Sequence, residues 1–177
     1  MKAICVLTNV ENKKIKGHIE FSIVKNKNKN KNKNKNKKLM KITIDIQGLK
    51  PGKHGFHIHE KGNLLEGCGS LCAHFNPDNT NHGDISDSKN NRHAGDLGNI
   101  IVDENGICKQ VLYDDIIKLN GKYNIVGRSV VIHDKEDDLG LGGLNEEGNI
   151  IDKKVQKDSL KTGNAGKRIA CGIIGWK

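Results

Sequence analysis

Residues 54 to 60 read HGFHIHE, and this stretch indicates both the local fold and the local chemistry. In a β-strand, successive side chains alternate between the two faces, so His57 and His59 project from one face on either side of Ile58. Two imidazoles held together in this way are typical of a metal site, because neutral imidazole is the commonest metal ligand in proteins. A His-x-His pair also fits two solvated histidines at a strand end, so both interpretations stand until other residues are considered.

The same period of two recurs on both sides of this stretch. The segment KITIDI places Ile42, Ile44 and Ile46 on one face, and IKGHIEFSI follows the same pattern. Short strand-like runs appear at VGRSVVIH (126–133) and RIACGIIG (168–175), and no long segment shows a sustained helical period. The chain has 21 glycines but only 2 prolines and 3% aromatic residues, so its core must use branched aliphatic side chains, which favour strands. The sequence therefore predicts an all-β protein.

Residues 1–177 are predicted to form a single domain interrupted by a low-complexity insertion at residues 25–38. Eight of the 30 lysine and arginine residues lie in that Lys-Asn tract, so the net charge of +9 is a local property and the remaining chain is close to neutral. The tract has no apolar residue to bury, which predicts a disordered hairpin loop. An arm that binds nucleic acid is the alternative, and it is disfavoured because the tract has no aromatic side chain for base stacking.

The N-terminal sequence predicts a cytoplasmic protein. Its apolar run, AICVL, is too short for a secretory signal, and no later run is long enough to span a bilayer, so no membrane partner is expected. In a reducing compartment most of the five cysteines would be free thiols.

Further histidines and one carboxylate lie in the long loop after the opening stretch and at the end of a strand-like run: His74, His82, His93, Asp96 and His133. Together with the opening pair they supply ligands for two metal sites. An all-imidazole site suits copper, and a tetrahedral site of histidine and aspartate suits zinc. This set of ligands is far more specific than a histidine pair.

Five motifs, in this order, resemble the copper–zinc superoxide dismutase family: GFHIHE, AHFNP, RHAGDLGN, VVIHDKEDDLG and KTGNAGKRIACGIIG. The similarity extends from Lys2 to Gly175 and is broken by two insertions. The resemblance implies an eight-stranded antiparallel Greek-key β-barrel with long metal-binding and electrostatic loops. It also implies an enzyme that disproportionates superoxide to dioxygen and hydrogen peroxide by one-electron cycling of copper.

The resemblance further implies one copper ion and one zinc ion per subunit. The copper ligands would be His57, His59, His74 and His133, and the zinc ligands His74, His82, His93 and Asp96. His74 would bridge the two ions. Asp137 would join a copper-bound to a zinc-bound histidine, and such outer partners fix the orientation of ligands.

Other functional residues are implied in the same way. Arg168 would dock the anionic substrate beside copper, and Cys68 would form a disulfide with Cys171. The steering residues of the family would be Glu146, Glu147, Lys161 and Thr162. This sequence inserts about residues 148–160 between the two halves of that set, which alters the rim of the substrate channel.

The resemblance also bears on partners. It implies a homodimer, with a copper chaperone as a candidate partner that the sequence neither requires nor excludes, although Lys61 stands where dimeric members commonly carry an aromatic residue at the subunit contact. A non-enzymatic copper-delivery or metal-storage relative is the second hypothesis. It is disfavoured because the chain keeps every metal ligand as well as Asp137 and Arg168. The third hypothesis is a polyanion-binding protein that uses residues 25–38.

Overall fold

The computed structural model of the protein describes residues 1–10, 14–25 and 38–177. Its elements are antiparallel strands, one short 3-10 helix at Gly67–Leu71 and one α-helix, α1, at Lys153–Thr162. The strands are β1 (Lys2–Val6), β2 (Asn9–Val10), β3 (Lys16–Lys25), β4 (Lys38–Gln47), β5 (Gly52–His59), β6 (Asp96–Val102), β7 (Ile107–Asp114), β8 (Ser129–His133) and β9 (Arg168–Trp176).

Eight of these strands follow one another in the order β6–β5–β8–β9–β1–β3–β4–β7, and the two-residue β2 pairs with β9. The two end strands, β6 and β7, are joined by a tight turn at Asp103–Gly106, in which Gly106 takes a positive φ of 77°. The sheet therefore curls until its ends meet, and the barrel is nearly closed. The eight-stranded antiparallel barrel predicted from the sequence is confirmed.

The alternating isoleucines lie where their period of two predicts. Ile42, Ile44 and Ile46 of β4 are all buried, and the residues between them face outward. On the neighbouring strand, Ile19 and Phe21 enter the same core. β4 pairs along its whole length with β3, from Lys16–Gln47 to Lys25–Lys38. Burial of this aliphatic face stabilises the barrel, at roughly 25 cal/mol for each Å² of apolar surface removed from water.

The strand order brings residues of three neighbouring strands together. β5 lies between β6 and β8, so residues at the ends of these three strands approach one another. The Lys-Asn tract connects β3 to β4, and residues 26–37 lie outside the described part of the chain, so the predicted disordered loop stays a prediction. Among the described residues, no helix has the length and apolar character needed to cross a bilayer.

Candidate metal centre

Two neighbouring strands and one loop bring four histidines together. His57 and His59 project from β5, His133 ends the adjacent β8, and His74 is held in the long loop by a single backbone bridge with His59. All four are buried. Each offers one ring nitrogen to a group whose ligand atoms lie within 4.8 Å of one another, and the rings of His57 and His74 have centroids 4.0 Å apart.

Three of these histidines use only one ring nitrogen for protein contacts. His57 Nε2 contacts Asp137 Oδ2 at 2.7 Å, His59 Nδ1 donates to the carbonyl oxygen of Cys72 at 2.9 Å, and His133 Nδ1 donates to that of Gly166 at 3.1 Å. The opposite nitrogens, Nδ1 of His57 and Nε2 of His59 and His133, are buried and have no hydrogen-bond partner in the described chain. Buried polar atoms are rarely left unpaired, so this convergence fits a metal ion.

Burial also sets the charge of these imidazoles. Desolvation, reinforced by the neighbouring histidines, holds the pKa of His57 and that of His59 well below the usual value. Burial likewise lowers the pKa of His133 to about 4. The three rings are therefore neutral at pH 7, which is the form that binds metals, and a set of four imidazoles suits copper.

A second cluster shares His74 and is centred on Asp96, the first residue of β6. Asp96 Oδ1 lies 2.8 Å from His74 Nδ1, 3.1 Å from His93 Nδ1 and 3.0 Å from His82 Nδ1. His82 Nδ1 is buried, and although it lies close to Asp96 Oδ1 the two atoms are not aligned for a hydrogen bond. Burial favours the neutral carboxyl, but the contacts from His74 and His82 prevail and hold the pKa of Asp96 well below its usual range.

Three imidazoles and one carboxylate are a typical tetrahedral zinc set. Burial works against a charged His82, yet the carboxylates of Asp137 and Asp96 raise its pKa to about 10. A metal ion in this cluster would therefore replace a proton, as ligand deprotonation requires. The residues present thus fit both metals that the sequence predicts.

Asp137 joins the two clusters. Its Oδ2 lies 2.7 Å from His57 Nε2 and its Oδ1 lies 2.8 Å from His82 Nε2, and the side chain is fully buried. The backbone N–H of Leu139 donates to Oδ1 at 2.7 Å, and Asn99 forms two hydrogen bonds with the Asp137 backbone. A carboxylate held in this way orients one ligand of each cluster, so disturbing it would disturb both.

Arg168 begins β9 beside the all-histidine cluster. Its Nη1 donates to the carbonyl oxygen of Cys68 at 2.7 Å, and its Nη2 donates to that of Cys72 at 2.6 Å. These bonds hold the guanidinium at the wall of a cavity of about 460 Å³ that leads to His59, His74 and His133. The cavity therefore presents a fixed cation next to the candidate copper ligands.

Residues of the helix α1 also line this cavity. Lys161 and Thr162, both predicted steering residues, line it together with Asp158 and Asn164. Glu146 and Glu147 are exposed in a turn outside the lining, so their steering role stays a prediction. Sequence reasoning did not find Asp158, although its spacing of three and four residues from Lys161 and Thr162 places it on the same side of a helix.

The implied disulfide is present, since Cys68 and Cys171 are bonded at 2.09 Å and tie the loop that carries the arginine contacts to β9. Cys5, Cys72 and Cys108 are free. Cys5 and Cys108 are buried, as small hydrophobic side chains would be, and burial raises the pKa of the Cys5 thiol to about 12.

A buried arginine that the sequence did not reveal supports the zinc-type cluster. Arg92 donates to the carbonyl oxygens of Asp96 at 2.8 Å and His93 at 3.3 Å, and its Nη2 forms an ion pair with Asp114. Asp114 also accepts hydrogen bonds from the N–H groups of Ile116 and of the next residue. The Arg92–Asp114 ion pair thus fixes the backbone of the candidate zinc ligands His93 and Asp96 to the end of β7.

Comparisons with known proteins agree with this geometry. Residues 15–174 match the family model described as copper/zinc superoxide dismutase (SODC). A superoxide dismutase [Cu-Zn] of Paramecium bursaria Chlorella virus 1 is 57% identical over 138 residues, which are 77% of this chain and 66% of the viral protein. An extracellular superoxide dismutase [Cu-Zn] of Drosophila melanogaster is 44% identical over 167 residues, which are 94% of this chain and 79% of the fly protein.

A solved structure is similar over nearly the whole chain. The crystal structure of the clock protein EA4 has a TM-score of 0.80 and 42% sequence identity, and the match covers 99% of this chain and 94% of that one. The barrel and its long loops therefore have an experimentally solved counterpart.

Proposed function

Because this chain belongs to the copper/zinc superoxide dismutase family, we propose that its two histidine clusters together form one centre for superoxide removal. The protein is an oxidoreductase that converts two superoxide ions and two protons into dioxygen and hydrogen peroxide, with copper and zinc as its cofactors. The assignment of a copper site and a substrate-docking residue rests on a single observation. Unpaired, buried imidazole nitrogens converge beside the fixed guanidinium of Arg168.

In this proposal copper is held by His57, His59, His74 and His133, and zinc by His74, His82, His93 and Asp96. Copper supplies the one-electron redox cycle that disproportionation needs, while zinc keeps one valence and contributes charge and rigidity. His74 would contribute to both sites. Its Nδ1 faces Asp96, which leaves Nε2 for the copper side. When Nε2 is free it can hold the proton that the reduced product requires.

The protein's own charges bring the substrate to this point. Superoxide is a small anion, and the guanidinium of Arg168 offers it a cation that two carbonyl contacts hold in place. Lys161 and Thr162, which line the same cavity, supply a further cation and a hydroxyl. Such a fixed arginine gives no benefit to a storage or delivery protein, so the enzymatic function is favoured over those alternatives.

The bridge is tested by His74→Ala. Loss of a ligand shared by both clusters should weaken copper and zinc binding by more than the roughly 10- to 100-fold that loss of an outer partner costs. His18→Ala is the matched control, because His18 lies half-exposed on β3 outside both clusters. Metal affinities are measured by chelator competition. Wild-type affinity for both metals in His74→Ala would contradict the bridge.

The substrate-docking role is tested by Arg168→Ile. We expect superoxide removal to slow by roughly tenfold or more while copper content is unchanged, because the side chain contacts carbonyl groups and contributes no metal ligand. Equal rates at equal copper content would show that the arginine does not act on the substrate.

We also propose a cytoplasmic homodimer that acquires copper from a chaperone. Three of the five cysteines are unpaired, which suits a reducing compartment, although relatives of this chain include extracellular enzymes. Lys61 is exposed, so its charge is compatible with a contact in which it lies at the rim. Mass by light scattering tests the dimer, and copper loading in cells that lack copper chaperones tests the delivery route.

A further inference from the structure

Arg128, which lies directly before β8, makes two contacts that neither candidate metal site accounts for. Its Nη1 donates to the carbonyl oxygen of Glu60 at 2.6 Å, and its Cζ lies 3.7 Å from the centroid of the Phe75 ring. Glu60 directly follows the candidate copper ligand His59, and Phe75 directly follows the candidate ligand His74. One side chain therefore contacts the neighbours of two candidate copper ligands that are distant in the sequence.

The two contacted residues lie at the ends of a short antiparallel pairing between β5 and the long loop. The N–H of Glu60 donates to the carbonyl oxygen of Ala73 at 2.9 Å, and the N–H of Phe75 donates to that of Ile58 at 2.8 Å. The bridge that joins the two candidate ligands lies between these hydrogen bonds. The pairing thus brings the two imidazole rings together, with centroids 5.0 Å apart.

A pairing of only three residues on each side has little stability of its own, since even longer isolated strand pairs are marginal in water. Arg128 contacts it at both ends, through the carbonyl oxygen of Glu60 and through the ring of Phe75. A guanidinium can make both contacts at once, because its edge donates hydrogen bonds while its face stacks on an aromatic ring. We call this arrangement of Arg128, Glu60 and Phe75 the arginine clasp.

The barrel holds the arginine clasp in place. The Nε of Arg128 donates to the carbonyl oxygen of Asn124 at 2.8 Å, and its own carbonyl oxygen accepts from the N–H of Ile174 on β9 at 2.9 Å. Phe75 is 3% exposed, and its carbonyl oxygen accepts from the N–H of Gly95 at 2.9 Å. The guanidinium is therefore fixed by the barrel and in turn fixes the pairing.

We propose that Arg128 is a positioning residue for the candidate copper site, which sets where His74 lies relative to His59. This inference rests on the proposed function, because it requires that the two histidines share one copper ion. Arg128 supplies no metal ligand and acts through Glu60 and Phe75. Ligands must be held within about 0.5 Å of their working geometry, so a small slip of the pairing changes the coordination of copper.

Two variants of the copper- and zinc-loaded protein break the arginine clasp from its two sides. Arg128→Lys keeps the positive charge but loses the planar group that makes both contacts, and Phe75→Leu keeps an apolar side chain but loses the ring. Lys122→Gln is the matched control, because Lys122 is also a cation over an aromatic ring, that of Tyr123 at 5.6 Å. Its contacts, Tyr123 and Asp78, do not adjoin a candidate ligand.

Electron paramagnetic resonance of bound Cu(II) measures the geometry of the site. At full copper occupancy, we expect Arg128→Lys and Phe75→Leu to shift the copper hyperfine splitting in the same direction. Copper affinity, measured by chelator competition, should weaken by about tenfold, as for loss of an outer partner. The double variant should shift the spectrum no further than Arg128→Lys alone, because both changes break one contact. Lys122→Gln should keep the wild-type spectrum.

Urea unfolding separates positioning from a general effect on stability. Variants that unfold at lower urea but keep the wild-type Cu(II) spectrum would overturn the proposal, because the arginine clasp would then be structural only. An equal spectral shift in Lys122→Gln would also overturn it. If Arg128→Lys does not fold, the spectrum of Phe75→Leu decides the outcome. The spectrum is recorded without turnover, so a wild type that binds copper but leaves superoxide untouched would contradict the proposed function alone. A wild type that binds no copper at these histidines would contradict both.

Discussion

A single methyl group at Gly163 should weaken zinc binding although no metal ligand is replaced. Gly163 ends α1 with a φ of 64°, and a Cβ built there would overlap Asp137 Oδ1 and His82 Nε2. Gly121 has a similar φ of 70° and open space around its Cβ position. Gly163→Ala and Gly121→Ala therefore share the cost of a left-handed alanine, about 1–2 kcal/mol, and differ in the overlap alone.

The magnitude follows from the contacts that the methyl group displaces. To regain van der Waals distance, the carboxylate of Asp137 must move by on the order of 1 Å, which stretches its 2.7 and 2.8 Å bonds to His57 and His82. Charge-assisted hydrogen bonds of this kind contribute about 1.5–3 kcal/mol each. Disturbing such an outer partner typically costs about 10- to 100-fold in metal affinity, and zinc should suffer more than copper because the methyl group also overlaps His82.

The assay is zinc affinity measured by competition with a chromophoric chelator, alongside urea unfolding of both variants. We expect similar losses of backbone stability in Gly163→Ala and Gly121→Ala, with weaker zinc binding in Gly163→Ala alone. Equal zinc affinity in the two variants would refute the view that Asp137 fixes a zinc ligand through its position.

Two other predictions contrast buried with exposed groups. Asp114→Asn should lower the free energy of unfolding of the metal-loaded protein by about 3–5 kcal/mol, because it leaves the buried guanidinium of Arg92 without a counter-charge. Glu136→Gln, which removes an exposed ion pair, should cost at most about 1 kcal/mol, and similar urea midpoints for the two variants would contradict this reasoning. At pH 8, iodoacetamide should alkylate the half-exposed Cys72 and spare Cys5, whose buried thiol stays protonated below its pKa of about 12. Mass spectrometry of the folded protein measures both sites, and rapid labelling of Cys5 would show that its strand opens readily.

The barrel and the ligand set could be predicted because each leaves a local pattern. The period of two in β4 and β5 is visible in the sequence, and it puts His57 and His59 on one face before any tertiary contact is known. The distant residues, such as His133, could be listed as candidate ligands, but their assignment to a particular site came only through the motifs of the family resemblance, since no local rule brings β8 next to β5.

The helix α1 was not predicted, and its composition explains why. Its buried residues are Gln156 and Ser159, so the segment has no apolar period of the kind by which amphipathic helices are recognised. The caps were the available signals, because Asp152 accepts from two backbone N–H groups and Gly163 closes the helix in the left-handed conformation.

The ion pair of Arg92 with Asp114 could not be predicted from the sequence for a different reason. Its partners are 22 residues apart and meet only when the loop before β6 folds against the end of β7. A buried arginine needs a counter-charge, but the sequence offers many carboxylates and no rule for choosing among them. Pairings of this kind depend on the tertiary fold, which is why the support of the zinc-type cluster emerged only from the structure.

The central claim is that copper held by His57, His59, His74 and His133 removes superoxide. The most direct measurement is the decay of superoxide in pulse radiolysis over the protein loaded with copper and zinc, compared with the same protein loaded with zinc alone. The account predicts fast decay that scales with bound copper and is absent with zinc alone. Equal decay rates for the two preparations, with copper present at its site in the first, would contradict it.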